Sequence, residues 1–373
     1  MRTVRQLIYR DVFWSVFFVA VAFVSLFFFI DFVDEVERVG HNGYTLLFAA
    51  VSALLEQPGH VYELFPIAVL IGTIYSMARL AQSSEFTILR TAGLGPGRAL
   101  SLLGAIGLLF AALTFSLGEY VTPHSEQAAG FLKARFGLGL AIGRTGAWLK
   151  ERRAEPDGER AITVNVRGVG KDGELTGVRI YEMDAGGREV RSLAAGHAVV
   201  PRTRTIHEWT LKDVTETNWI PGSASTEPRV DEKKMAQMTW PTRLDASVAA
   251  AALLPPQSMG AVDLWRYSTH LAEQEQSTQN YRILFWKRVL YPFACFVMVA
   301  LALPFAYLHA RAGGVSVKVF GGIMLGISFV LLNNVAGHLG LLHDWTPWIA
   351  ASVPSALYLL MSMSAFAWLV RYR

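Results

Sequence analysis

Serine and histidine sit in one long apolar stretch as Ser328 and His338, the residue types that an intramembrane nucleophilic hydrolase would use. On a single helix they stand about 15 Å apart along the axis, whereas nucleophile and base must approach to about 3 Å. On an unbroken helix the pair does no chemistry. The run Gly93-Leu94-Gly95-Pro96-Gly97 lacks the lysine and the preceding strand of a phosphate loop, so the chain is not expected to be its own ATPase. No HExxH occurs, and the nine histidines are scattered. The single cysteine, Cys295, lies in an apolar run; it forms no internal disulfide and no cysteine-based metal site, and reads as a small buried hydrophobe. No catalytic residue, bound metal or cofactor is expected on this chain.

The remaining chemistry is recognition. Asn333 and Asn334 lie within an apolar segment, where they either hydrogen-bond between helices or line a polar path. Gly322 and Gly326 form a small-xxx-small pattern for close helix approach. The segment 81–92, AQSSEFTILRTA, reads as a short amphipathic helix. Ser83 or Ser84 would cap it, Glu85 would lie near its positive end, and Phe86 and Leu89 would share a face. It is either an ordinary interfacial helix or a docking helix for a cytoplasmic motor.

The elements that must position these residues are set by composition. Of 373 residues, 52% are hydrophobic and only 17% charged, against about 25% in soluble domains. Mean hydropathy is +0.33. A membrane-crossing helix needs roughly 20 apolar residues. Val12–Ile30, Ala99–Gly118, Val289–Leu308, Val319–Gly337 and Trp345–Val370 qualify, and Val61–Ala81 makes a sixth with Glu63 and Arg79 at its ends. Val12–Ile30 is too long for a typical signal-peptide core and reads as an uncleaved span. Gly43–Leu55 is apolar but too short to cross; it lies along the interface or extends a neighbouring helix. Pro66, Pro292 and Pro304 are candidate kink positions.

Orientation follows from basic residues in short loops. With both termini in the cytoplasm, the inner segments carry Arg2, Arg5, Arg10, Arg79, Arg90, Arg98, Arg311, Lys318, Arg371 and Arg373 against Asp11 and Glu85. The first outer loop carries Asp31, Asp34, Glu35, Glu37, Glu56 and Glu63 against Arg38. The net charge of +4 thus sets topology, and nothing suggests nucleic-acid binding despite a pI near 9.1. Aromatics near the boundaries, among them Trp14, Trp286, Tyr291, Trp345, Trp348 and Trp368, fit interfacial belts.

Between the third and fourth spans, a polar block from Glu119 to Arg288 reads as β in its middle. Ala161–Val169, Val178–Met183, Arg188–Val200 and Ile206–Trp219 are strand-like, with turn signals at Asp157-Gly158, Asp172-Gly173 and Gly186-Gly187. Helical crossovers are absent, so an antiparallel sandwich or jelly roll is expected. Leu264, Tyr267, His270 and Leu271 then recur at helical spacing. The expected fold is an α-helical membrane protein with an all-β insert, three helices on each side. Residues 1–122 hold helices 1–3 and the short helix at about 82–92, residues 123–256 the β-domain, and residues 257–373 a linker helix and helices 4–6. Composition and topology alone support a transporter subunit or a membrane scaffold.

The assembled features resemble the permease subunits of the bacterial lipopolysaccharide export system, the LptF/LptG permease family, and its G type in particular. The carrying segments are Asp31–Gly40 (DFVDEVERVG), Phe65-Pro66, Leu80–Gly93 (LAQSSEFTILRTAG), Gly118–Pro123 (GEYVTP), Phe285–Pro292 (FWKRVLYP) and Gly326–Phe329 (GISF). Their order, spacing and topology over the whole chain carry the likeness. The resemblance implies six transmembrane helices with a periplasmic β-jelly roll in the bacterial inner membrane. It implies pairing with an F-type permease (LptF), two copies of a cytoplasmic ABC ATPase (LptB) holding ATP and magnesium, and a single-helix jelly-roll subunit (LptC). The complex would extract lipopolysaccharide and pass it to a periplasmic bridge. Arg38, Lys133, Arg135, Lys287 and Arg288 are then candidates for its phosphates, with interfacial anchoring or surface ion pairs as the plain alternative. The segment after span one is acidic here where relatives are commonly lysine-rich, so only Arg38 is carried from it. Phe23, Phe27 and Asn333 would face an apolar cavity for acyl chains. Glu85 would pair with a basic residue of the ATPase, with Phe86, Leu89 and Arg90 beside it. An ABC permease for another amphiphile such as a lipoprotein, and a non-transporting assembly factor, share much of this architecture.

Overall fold

The computed structural model describes residues 2–83, 85–91, 95–136, 147–155, 158–169, 174–200, 208–220, 229–242, 244, 256–273, 277–307 and 314–371. The chain divides into two compact units, Met1–Leu138 with Arg282–Arg373, and Gly139–Tyr281.

The first unit is helical. It comprises α1 (Arg2–Val36), α2 (Leu46–Gln82), α3 (Glu85–Thr91), α4 (Pro96–Ser116) running through a π-helical turn (Leu117–Val121) into α5 (Thr122–Arg135), and later α7 (Gln279–Tyr307), α8 (Val315–Leu342) and α9 (Pro347–Arg371). Among the described residues, six helical stretches are long and apolar enough to cross a membrane, as expected. The short apolar stretch Gly43–Leu55 extends its neighbour: α2 is continuous through Pro58 and Pro66. The third span also continues as α5 to Arg135, past residue 123, the expected start of the β-domain.

The helix α2 is the axis of the unit. Phe65–Leu80 is almost wholly buried, in one core shared with Val12 and Val16 of α1, Leu103, Ile106 and Phe110 of α4, Cys295, Met298 and Leu303 of α7, Phe329 of α8 and Tyr358 of α9. Small residues permit the close contacts. A Cβ at Gly322 would lie 2.6 Å from Ile74 Cδ1, and one at Gly326 would lie 2.8 Å from Ile67 Cγ2, so the small-xxx-small pattern is the seam between α8 and α2. Cys295 is fully buried, 3.2 Å from the Thr114 hydroxyl, and behaves as the expected core residue.

The described residues of the second unit form six antiparallel strands in chain order: β1 (Ala147–Glu155), β2 (Gly158–Val169), β3 (Leu175–Met183), β4 (Glu189–Val199), β5 (Glu208–Ile220) and β6 (Arg229–Pro241). The all-β insert is there, and its described strands follow an up-and-down order. Residues alternate between faces, so Ile162, Val164, Val166, Val178, Ile180, Leu193, Leu211 and Val214 are buried. Trp209 and Trp240 are cross-strand partners with ring centroids 5.7 Å apart. Helix α6 (Ala261–Glu273) follows and buries Leu264, Tyr267 and Leu271, as its spacing predicts.

Strands β1 and β6 were not foreseen. Their sequences, AWLKERRAE and RVDEKKMAQMTWP, are heavily charged, and among the described strands they are the two at the edges of the sheet. Charge on an edge strand discourages pairing with a stray chain and hides the apolar alternation.

Candidate functional site

Where α1 ends and α2 begins, carboxylates and cations interlock. Glu35, in the last turn of α1, is only 3% exposed. Its carboxylate takes a 2.7 Å ion pair from Arg38, a 2.7 Å ion pair from Lys133 of α5 and a 2.9 Å hydrogen bond from the Tyr44 hydroxyl. Lys133 also pairs with Glu56 of α2. Burial works against the Lys133 charge, but the bonds to Glu35 and Glu56 outweigh it and hold the ammonium above its ordinary pKa. Burial and the bond to Glu35 push Tyr44 up to about 12, so it stays a neutral donor.

The turn that closes this cluster uses left-handed backbone at Gly40, Asn42 and Gly43. The Asn42 side-chain amide donates to the Phe136 carbonyl at 2.9 Å, tying the turn to the end of α5. The rings of Tyr44, Phe48 and Phe136 cluster beside it, Tyr44 stacked on Phe48 and edge-on to Phe136. One helical step lower, Asp31 accepts from Gln57 at 2.9 Å and lies 3.0 Å from His60. The His60 ring lies 4.8 Å from that of Phe27. Phe23 and His60 line a shallow apolar depression with Val61, Leu64 and Phe65. Phe23 and Phe27 thus lean partly inward, and the open apolar face of α1 is made by Phe17, Phe18, Leu26 and Phe29.

Lys287 and Arg288, the two candidate phosphate-binding cations of α7, each tie one helix to another. Lys287 donates to the backbone carbonyl of Asn333 on α8 at 2.8 Å and lies against Gly337. Asn333 therefore contributes a backbone acceptor. Arg288 donates to the Gly118 carbonyl inside the π-helical turn and lies 5.3 Å over the Tyr62 ring. A π-turn shifts the backbone bonding pattern and exposes a carbonyl for such a donor. Arg135 closes α5, with its side chain outside the described residues.

At the opposite end of the helices, α3 occupies seven residues of the expected stretch, with Glu85 exposed in its first turn. Leu89 packs partly against the main core, and Ile88 is 64% exposed. Phe86 and Arg90 are in this helix, their side chains outside the described residues. Ser83 does not cap α3; its hydroxyl donates back to the Arg79 and Leu80 carbonyls at the end of α2. Ser84 lies outside the described residues. Asp11 of α1 holds this end, bonded to Ser76 at 2.8 Å and to Arg79.

Ser328 bonds to the Tyr358 hydroxyl at 2.5 Å, and His338 to the Asn334 carbonyl at 2.9 Å, so the two make no nucleophile–base pair. No group of His, Cys, Asp or Glu able to hold a metal occurs among the described residues. From sequence alone the acids of the cluster register only as loop charge. The usable signal was spacing: Asp31 and Glu35 on α1, and Glu56, His60 and Glu63 on α2, each fall on one helical face.

Residues 6–371 match the family described as Lipopolysaccharide export system permease LptF/LptG. The chain is 29% identical over 361 residues to Lipopolysaccharide export system permease protein LptG of Escherichia coli K12, covering 95% of each chain. It is 26% identical over 364 residues to the protein of that name from Haemophilus influenzae, covering 97% of each.

Proposed function

Because the chain belongs to the LptF/LptG family of lipopolysaccharide export permeases, we propose a path on it for the lipid's two chemically different halves. It is a multi-pass inner-membrane transport subunit of the lipopolysaccharide export system, and its named relatives are of the G type. Acyl chains would travel along the open apolar face of α1, beside Phe23 and Phe27. The sugar phosphates would be met by Arg38 and Lys133 just beyond it, with Arg135, Lys287 and Arg288 on neighbouring helices. The observation that carries this reading is the placement of two cations, Arg38 and Lys133, at the end of a helix whose preceding turns are aromatic and exposed.

In this reading both termini and α3 are cytoplasmic and the β-domain is periplasmic, from the basic bias of the short loops. An F-type permease (LptF) would supply the other half of the cavity, and a single-helix jelly-roll subunit (LptC) would associate. Two copies of a cytoplasmic ABC ATPase (LptB), binding ATP and magnesium, would drive the cycle. One would seat α3, with Glu85 pairing to a base and Phe86, Ile88, Leu89 and Arg90 around it. Closure of the ATPase pair would push α3, shift α2 and α4, and narrow the cavity.

Photocrosslinkers at Phe27, Arg38 and Lys287 in living cells test the path. A lipopolysaccharide adduct that forms only with a working ATPase is expected. Absence of any adduct at all three positions would exclude this route.

A further inference from the structure

Three donors converge on the Glu35 carboxylate: Arg38, Lys133 and Tyr44. Two cations and a phenol around one anion is a donor set that would equally suit a phosphate. The site is built to hold an anion, and the chain fills it with one of its own. Access is graded. The Arg38 side chain is 46% exposed, Lys133 17%, and Glu35 itself is 4% exposed behind them. An incoming phosphate would meet Arg38 first and then contend with Glu35 for Lys133.

We propose that Glu35 is a tethered competitor that occupies the anion position of the Arg38–Lys133–Tyr44 set and yields it to a phosphate monoester but not to a phosphodiester. The inference rests on the reading that these cations meet substrate phosphates. The discrimination is one of charge. A phosphate monoester carries about −1.5 to −2 at pH 7, more than the single charge of a carboxylate. The phosphodiester of an ordinary phospholipid carries one charge and has no electrostatic advantage over Glu35. Glu35 thus makes the site selective against bulk membrane lipid, which outnumbers the substrate. Glu56 stays with Lys133 during the exchange and keeps the ammonium in place.

The test uses the full chain in its purified complex, reconstituted in nanodiscs. Three probes are compared: bisphosphorylated lipid A, its dephosphorylated form, and phosphatidylglycerol. In the native protein, bisphosphorylated lipid A should bind far better than the other two. Glu35→Gln should raise phosphatidylglycerol binding roughly ten-fold and compress the lipid A to phosphatidylglycerol ratio by a similar factor. Dephosphorylated lipid A should be unaffected. An unchanged ratio in a folded Glu35→Gln complex, or equal loss of all three lipids, overturns the proposal. Should Glu35→Gln fail to assemble, Glu35→Asp decides. It keeps the charge but falls a methylene short of Lys133, and the ratio should fall several-fold; an unchanged ratio again overturns the proposal. Native protein that binds both forms of lipid A equally sinks the phosphate reading itself, whereas native selectivity retained in Glu35→Gln sinks only the competitor.

Discussion

The backbone of α2 at Gly72 lies directly on the backbone of α1 at Val16: a Cβ added to Gly72 would stand 2.6 Å from both the nitrogen and the Cα of Val16. Backbone cannot rotate aside as a side chain can, so the two helices would have to part. Gly72→Ala is expected to destabilise the protein by about 1–3 kcal/mol, the usual range for overpacking. Gly97→Ala, at a helical site with open space, is the control and should be neutral or slightly stabilising. Thermal midpoints of the two purified variants decide; equal midpoints would refute the close seam.

Lys133 ties the end of α5 to the end of α1 through Glu35 and to α2 through Glu56. Lys133→Met strips one cation from a buried carboxylate and should cost about 3 kcal/mol. The dependence on pH has a definite sign. The folded-state pKa of Lys133 is raised, so its contribution is complete below the ordinary lysine value of about 10.4 and fades as pH climbs through the raised value. Melting curves of the native and Lys133→Met proteins should therefore differ constantly from pH 7 to about 10 and converge above it. A gap that closes on acidification instead would contradict the assignment.

Lys287 and Gly337 are a matched pair, since a Cβ at Gly337 would run into the Lys287 ammonium. Gly337→Ala should destabilise native protein. In a Lys287→Ala background it should cost less, with a coupling of at least about 0.5 kcal/mol. Strict additivity in the double-mutant cycle would remove Lys287 from the α7–α8 seam.

Reversing charge at Glu85 probes the other end. Glu85→Lys is expected to reduce copurification of the ATPase several-fold, or to leave hydrolysis running without transport. Ile88→Asp, at the exposed neighbour on α3, should act in the same direction. Unchanged complex yield together with unchanged transport in Glu85→Lys would discard the docking role.

The spans were legible because hydrocarbon demands long uncharged runs, and the seam at Gly322 and Gly326 because small residues at that spacing do one job well. The seam at Gly72 was not, since a lone glycine carries no pattern. The cations Arg38, Lys133, Lys287 and Arg288 could be named from sequence, but not their partners. Glu35 and Glu56 lie far from Lys133 along the chain, and the Asn333 and Gly118 carbonyls have no sequence signature at all. The outer strands of the sheet were hidden for an opposite reason: the charge that protects an edge erases the alternation by which strands are recognised.

The 37 residues of α2 make a rod about 55 Å long, while the oily slab it crosses is about 30 Å thick. Its uncharged stretch begins just after Glu63, and Glu56 stands about 10 Å farther along the axis. The last turn of α1 and the last turns of α5 rise to the same level, where Glu35 and Lys133 meet Glu56. On the proposed lipid path, the three helices would raise a ledge above the slab, at the depth of the headgroups. A lipid lying along α1 would keep its tails in the oil and rest its phosphates on that ledge, gauged by its own height against the protein. Ions in the adjoining water would also reach the ledge, so salt and divalent cations should tune how long the lipid stays.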